Sequence, residues 1–321
     1  MLMNNSLVPL QPIPLDQNPA AVYLAGLNTH DGRRTMRQAL DRMAEMLTGT
    51  PDALQCNWGA VRFQHTMAIR SQLLSQYRPA TVNKYLSALR GVLKAAWLLG
   101  QMDAESYQKA VAVKGVKNTT LPTGREVMAE EIAALVAVCH EDDGPSRWRD
   151  IAIIAVLYGG GLRRAELVGL DMAHFDQKQG KLVVYGKGQK ERTVWLGSSI
   201  QRSLEQWVLV RGTWSGPLFC PINKSHRIMQ RRLTTQAVYY ILQKRCEQAD
   251  VSIDISPHDF RRTFVSDLLD QGVDIATVSR MAGHANIQTT ARYDRRGEET
   301  KRDAAEKLQL PTKDSSQWSD D

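Results

Sequence analysis

Several features that define whole classes of protein are missing from this sequence. Its four cysteines, Cys56, Cys139, Cys220 and Cys246, are widely spaced, with no Cys-x-x-Cys pair and no Cys/His grouping at zinc spacing. That excludes a disulfide scaffold and a zinc module, and we expect reduced, buried thiols and no metal. The longest apolar run, Ile151 to Leu162, falls well short of the roughly 20 residues that span a bilayer. No basic segment opens the chain, and Pro9, Pro12 and Pro14 interrupt any apolar signal core. A cytoplasmic protein with no membrane partner is therefore expected. No Walker-type G-x-x-x-x-G-K-[ST] occurs, so no P-loop nucleotide cofactor site is expected. Internal repeats and long low-complexity stretches are absent as well.

What is present is an ordinary globular composition on a basic chain. At roughly 150 residues per domain, 321 residues make about two domains. The hydrophobic fraction of 43% and charged fraction of 23% exclude wholesale disorder, collagen and coiled coil. Lys and Arg number 41 against 34 Asp and Glu, a formal +7, and the pI is about 9.2. Such an excess suits a polyanionic partner, nucleic acid above all.

The periodicity predicts organisation. Residues 1–18, rich in Pro, Asn and Gln, read as an extended arm. Met36, Leu40, Met43 and Leu47 form one helical stripe, with Arg33, Arg34, Arg37 and Arg42 mostly off it. A second stripe, Val82, Tyr85, Leu86, Leu89, Val92, Leu93 and Ala96, follows the start signal Pro79-Ala-Thr81 and leaves Lys84, Arg90 and Lys94 outside. Residues 19–112 thus read as a small helical unit with basic outer faces, and 113–127 as a linker. Arg33, Arg34, Arg37, Lys84, Arg90 and Lys94 are the candidate DNA-binding residues. From 128 to 310 the pattern predicts a mostly helical second domain around one small sheet. Its strands are Leu182–Tyr185 and Thr193–Leu196, joined by a basic turn, 186–192. Helices are expected at 148–159, 200–212, 233–249, 258–271, 274–282 and 287–295. Residues 311–321 read as a disordered tail.

Four sites in this second domain carry chemistry. Arg163 leaves an apolar helix at a Gly-rich break, with Glu166 three residues on to orient it. The hairpin tip offers Lys187, Lys190 and Arg192, point charges suited to a phosphate. Pro257 starts a helix that places His258 and Arg261 on one face of its first turn, where an anionic oxygen would be welcome. His284 follows the helix-stopping Gly283, and Tyr293 lies on the next helical segment. Singly, each has a plain alternative: a surface Arg–Glu pair, a solvated turn, a half-buried tyrosine.

In order, Arg, Lys, His-x-x-Arg, His and Tyr resemble the tyrosine recombinase (phage-integrase) family. The resemblance lies in GLRRAEL, YGKGQKERTVWL, HDFRRTF and GHANIQTTARY, and in the core-binding-like stretch YRPATVNKYLSALRGVLKAAWLLG. It covers residues 17 to about 310. Arg164 and Arg262 each double a catalytic arginine, and family register favours Arg163, Arg261 and, in the hairpin, Lys187 over Lys190. The position of His284 varies in the family between His and Trp.

The resemblance implies a fold and a reaction. The fold is mainly α with a small antiparallel sheet: an N-terminal helical, SAM-like core-binding domain and an α+β catalytic domain, closing as a clamp on DNA. The reaction is cleavage and rejoining of double-stranded DNA at a specific core site through a 3′-phosphotyrosyl bond on Tyr293. Arg163 and Arg261 grip the phosphate, Lys187 protonates the leaving 5′-oxygen, and His258 and His284 assist. Glu166 holds the arginines. The segment after Tyr293, to residue 310, docks on a neighbouring subunit of a homotetramer. An accessory DNA-binding protein and a mobile-element setting fit the same resemblance. Two other readings stand beside it: a type IB topoisomerase that relaxes DNA, and a DNA-binding regulator without catalysis.

Overall fold

A computed structural model describes residues 7–8, 13–117, 124–186, 190–252, 254–294, 297, 302 and 305–307. The chain divides into two compact units, Met1–Leu121 and Pro122–Asp321.

The first unit is helical. Its helices are α1 (Pro19–Ala25), α2 (His30–Thr48), α3 (Phe63–Gln76), α4 (Pro79–Leu98) and α5 (Ala104–Val111). Each begins or ends for a local reason. The Asn18 side chain accepts from the Ala20 amide at 3.0 Å and caps α1. Thr29 does the same for α2 through Gly32, which stops at Gly49 in the left-handed region. Pro79 fills the first turn of α4, where a missing N–H costs nothing. The predicted stripes are the core. Leu40, Met43 and Leu47 of α2 meet Val82, Leu86, Leu89, Val92 and Leu93 of α4 around the buried Trp58, whose indole N–H donates to the Ala53 carbonyl at 2.8 Å.

The second unit wraps helices around an apolar rod. Its helices are α6 (Ala129–His140), α7 (Ser146–Gly160), α8 (Arg164–Gly169), α9 (Ser198–Arg211), α10 (Thr235–Gln248), α11 (Pro257–Asp270), α12 (Ile275–Ala282) and α13 (Gln288–Ala291). The apolar run from Ile151 is the centre of α7, buried on every side from Ile151 to Leu157. The sheet is antiparallel in the order β1 (Phe175–Asp176), β2 (Lys181–Tyr185), β3 (Glu191–Trp195). Leu182 pairs with Val194 and Tyr185 with Glu191, so Leu182, Val184 and Val194 face the core while Trp195 stays exposed.

Three expectations shift. β1 was not predicted, because two residues show no alternation. β3 starts two residues early, so Glu191 and Arg192 belong to a strand and not to the turn. The helix expected over 287–295 shrinks to α13, leaving Tyr293 in the turn beyond it. The segment from Asp294 to residue 310, the arm and the tail fall largely or wholly outside the described residues.

A buried ionic network ties α7 to α10. Arg245, fully buried, donates to Asp150 at 2.7 and 2.9 Å and to Asp142 at 2.8 Å, and Arg149 donates to Asp150 at 2.8 Å. All four cysteines are buried and unbridged. Burial pushes the thiols of Cys56 and Cys139 up to about 12, so neither ionises readily. Among the described residues no helix is long and apolar enough to cross a membrane.

Candidate active site

The site is assembled where α7, α8, α11 and α12 converge. Gly161 ends α7 at φ 57°. A Cβ there would stand 2.3 Å from the Phe264 ring, so only glycine lets α11 lie this close. The Gly161 carbonyl accepts from Arg261 Nη1 at 2.7 Å. Two residues on, Arg163 stands at the entrance of α8. Glu166 reaches back to accept the Arg163 amide at 2.8 Å and its Nη1 at 2.6 Å. Arg163 Nη2 donates to the Gly283 carbonyl at 2.8 Å. Both terminal nitrogens are thus held, while the side chain as a whole stays 42% exposed.

Arg163, Arg164, His258 and Arg261 line a cavity of about 560 Å³, together with Ala165, Tyr239, Ser256 and Pro257. Arg261 is buried, and its Nη2 has no hydrogen-bond partner among the described residues. Burial, and then the neighbouring Arg163 cation, push its guanidinium down to about 9. A desolvated cation beside another cation, with a donor unspent, is a seat for an anion. His258 stands exposed on the first turn of α11.

His284 leaves the left-handed Gly283 that ends α12. Its Nδ1 lies 2.8 Å from Thr290 Oγ1. Burial first, then the charges of Arg261 and Arg163, hold its imidazole down to about 4. At neutral pH the ring is uncharged and can donate from one nitrogen while accepting at the other. Tyr293, 8% exposed, packs its ring with Phe264, Val265, Leu269, Val278 and Ala282. The Arg262 guanidinium sits 5.3 Å from that ring and donates to the Gly124 carbonyl.

The doubled arginines thus differ in their contacts. Arg163 is bound to Glu166 and Gly283, and Arg261 lines the cavity and is bound to Gly161, whereas Arg262 spans from Gly124 to Tyr293. Lys187 lies outside the described residues. Glu166 proves to be a hub: it is buried, and it accepts from Arg192 at 2.8 and 3.0 Å as well as from Arg163. Burial raises its carboxyl and the two arginines more than offset this, leaving it at about 2. Arg192 is the residue that sequence reasoning placed wrongly. Its place on a basic turn suggested a point charge for a phosphate or a solvated charge, but the strand register turns it inward.

In the first unit, Arg33, Arg34, Lys84 and Lys94 are exposed. Arg37 is taken up by Asp41 and Asp52, both at 2.7 Å, and Arg90 Nη2 by the Val113 carbonyl. These two hold the unit together.

The class of protein follows from chain comparison. The phage integrase family matches residues 125–299, and the chain belongs to that family; it is a tyrosine site-specific recombinase. Among its relatives, the tyrosine recombinase XerC of Vibrio atlanticus is 30% identical over 300 residues, covering 90% of this chain and 92% of the relative. XerC of Vibrio parahaemolyticus is 32% identical over 279 residues, covering 84% and 83%. The fold is shared with the Tn1549 transposon integrase in complex with transposon right-end DNA. That likeness has a TM-score of 0.68 at 15% identity over 92% of this chain and 99% of the other. XerH site-specific recombinase bound to a palindromic difH substrate gives a TM-score of 0.65 at 20% identity, over 94% and 91%.

Proposed function

We propose that this recombinase cleaves and rejoins duplex DNA at one core site through a covalent bond between Tyr293 and a 3′-phosphate. The observation that carries the reading is the unspent, buried Arg261 donor beside Arg163 in a cavity that His258 also lines. Tyr293 Oη attacks the phosphorus, the P–O5′ bond breaks, and a 5′-hydroxyl leaves. The attacked phosphate gains charge on its non-bridging oxygens, which Arg163 and Arg261 meet with preorganised donors. His258 takes part in moving the tyrosine proton, His284 hydrogen-bonds the phosphate, and Lys187 protonates the leaving oxygen. Glu166 holds Arg163. The phosphotyrosyl bond keeps the energy of the phosphodiester, so resealing by a 5′-hydroxyl needs no ATP. Two arginines and a lysine bring the positive charge that a divalent ion brings elsewhere.

The first unit, with Arg33, Arg34, Lys84 and Lys94 exposed, would bind the phosphates flanking the core site. We further propose a homotetramer on two sites, with an accessory DNA-binding protein where the site demands one, working in the cytoplasm on a mobile element. At 30% identity the chain is distant from the XerC sequences with which it aligns nearly end to end, as a recombinase serving a different site would be.

The test incubates the protein in EDTA with a supercoiled plasmid library carrying DNA that flanks its gene, then denatures with SDS. Adducts at one discrete sequence, mapping by peptide mass to Tyr293 and absent from Tyr293→Phe, support the reading. Scattered adducts with relaxation would make it a topoisomerase. Tight binding without adducts would make it a regulator. A core site on the element, and not on the host replicon, supports the mobile setting.

A further inference from the structure

Of the described basic residues of the hairpin, Lys190 faces solvent and Arg192 turns inward, only 13% exposed. Each of its three side-chain nitrogens has a partner. Nη1 and Nη2 meet the two oxygens of Glu166 at 3.0 and 2.8 Å, and Nε donates to the Met281 carbonyl at 3.1 Å. Arg163 meets the same carboxylate from the other side and reaches the Gly283 carbonyl. Two guanidiniums sharing one carboxylate therefore hold residues 281–283 from two directions. That turn ends α12 and launches His284.

Two further facts make the arrangement tight. A Cβ on Gly283 would lie 3.0 Å from Arg192 Nη1, so the turn is pressed flat against the guanidinium. Arg192 also occupies both oxygens of Glu166, which leaves Glu166 a single side-chain hydrogen bond to Arg163. An unshared Glu166 would take Arg163 in a two-pronged grip, the preferred geometry of an Arg–carboxylate pair, and draw it from the cavity.

We propose that Arg192 is a positioning residue for strand cleavage: it sets the turn that carries His284 and restrains Glu166 so that Arg163 stays turned outward. The role rests on the recombinase reading above. A lysine could not replace it, because one ammonium lacks the planar fork that meets both carboxylate oxygens while a third donor reaches Met281.

The experiment compares Arg192→Met and Arg192→Lys with the unaltered protein. The imidazole titration of His284 is followed by NMR without DNA, its signal assigned through His284→Gln. Adduct formation and DNA binding are measured on the plasmid library, and thermal melts establish folding. For Met we expect His284 to titrate higher than its starting value, a rise to which loss of the Arg192 charge itself contributes, so Lys, which keeps the charge, is the variant that isolates the turn. We expect adduct formation to fall about 10–100-fold, the range typical of groups that orient a ligand's partner. DNA binding should stay within about twofold, since the loss is in the transition state. Lys should restore neither. A Met variant unchanged in both readouts overturns the proposal, and so does a Lys variant that restores both, because charge alone would then suffice. Should Met not fold, Lys decides on the same criteria. An unaltered protein that forms no adducts overturns the recombinase reading instead, and the His284 titration in the charge-keeping Lys variant then still decides whether Arg192 sets the turn.

Discussion

Arg163 donates through Nη2 to the carbonyl of Gly283 at 2.8 Å, joining residues 120 positions apart in the chain. The contact binds the arginine of one motif to the backbone that carries the histidine of another. Under the proposed mechanism the conformation of Gly283 therefore bears on catalysis, since a rotated carbonyl would release Arg163.

Gly283→Ala follows directly. The residue lies at φ 66°, where an L side chain costs roughly 1–2 kcal/mol, and its new methyl would press on Arg192. We expect a lowered melting temperature and slower adduct formation, with DNA binding kept. A variant as fast as the parent would show that the turn does not control the site.

Tyr293→Phe separates chemistry from packing. The ring is 8% exposed among apolar neighbours, so phenylalanine keeps the fit and stability should change by less than about 1 kcal/mol. Adducts should vanish. Tyr293→Ala should instead cost about 3–5 kcal/mol, as loss of a buried ring does. Calorimetry beside SDS gels reads both, and persistent adducts in the Phe variant would remove Tyr293 as nucleophile.

Much of this was legible in the sequence, and the exceptions share a cause. The stripes of α2 and α4 read true because amphipathic helices bury the faces their spacing dictates. Arg163, His258, Arg261 and His284 fall in one region because each sits at a helix end or break that local signals mark. Arg192 was misread because strand register, and not composition, decides which way a residue beside a turn points. Arg90 looked like a free surface charge because nothing local reveals a carbonyl at residue 113, and Arg37 because its distant partner Asp52 is not local, although its other partner, Asp41, stands one turn on in α2.

His284 gives stability a pH dependence of known sign. Its folded value of about 4 lies below the ordinary 6.5, so the unfolded chain binds the extra proton first as pH falls. The contribution is complete above about 6.5 and is lost as pH drops from there toward about 4. His284→Asn should flatten that window in denaturant titrations across pH. An unchanged slope would mean that the ring is protonated in the folded protein.

Glu166 acts in a lower window. Its folded carboxyl, at about 2 against an ordinary 4.5, adds stability that is present above about 4.5 and lost as pH falls toward about 2. Glu166→Gln should remove this acid step. At neutral pH it should also cost on the order of 3–5 kcal/mol, because two arginines lose their common partner. Acid unfolding of the two proteins, followed by circular dichroism, separates this step from that of His284.

The ionic network behind the site predicts a different pattern. Arg245 has no exposed side chain and Asp150 has 2%, so Asp150→Asn should cost about 3–5 kcal/mol by leaving Arg149 without its carboxylate and Arg245 with Asp142 alone. Replacing both members, Asp150→Leu with Arg245→Met, removes that pair's desolvation cost along with its attraction and should recover part of the loss, Arg149 remaining without its carboxylate. Asp142 is left without its arginine but is 20% exposed, and water can solvate it. Adduct formation by the folded double variant should match the parent, because neither side chain lines the cavity. Melting temperatures of Asp150→Leu, Arg245→Met and the double form a cycle. A double variant no more stable than Asp150→Asn would show that the pair itself, and not its completeness, holds α7 to α10.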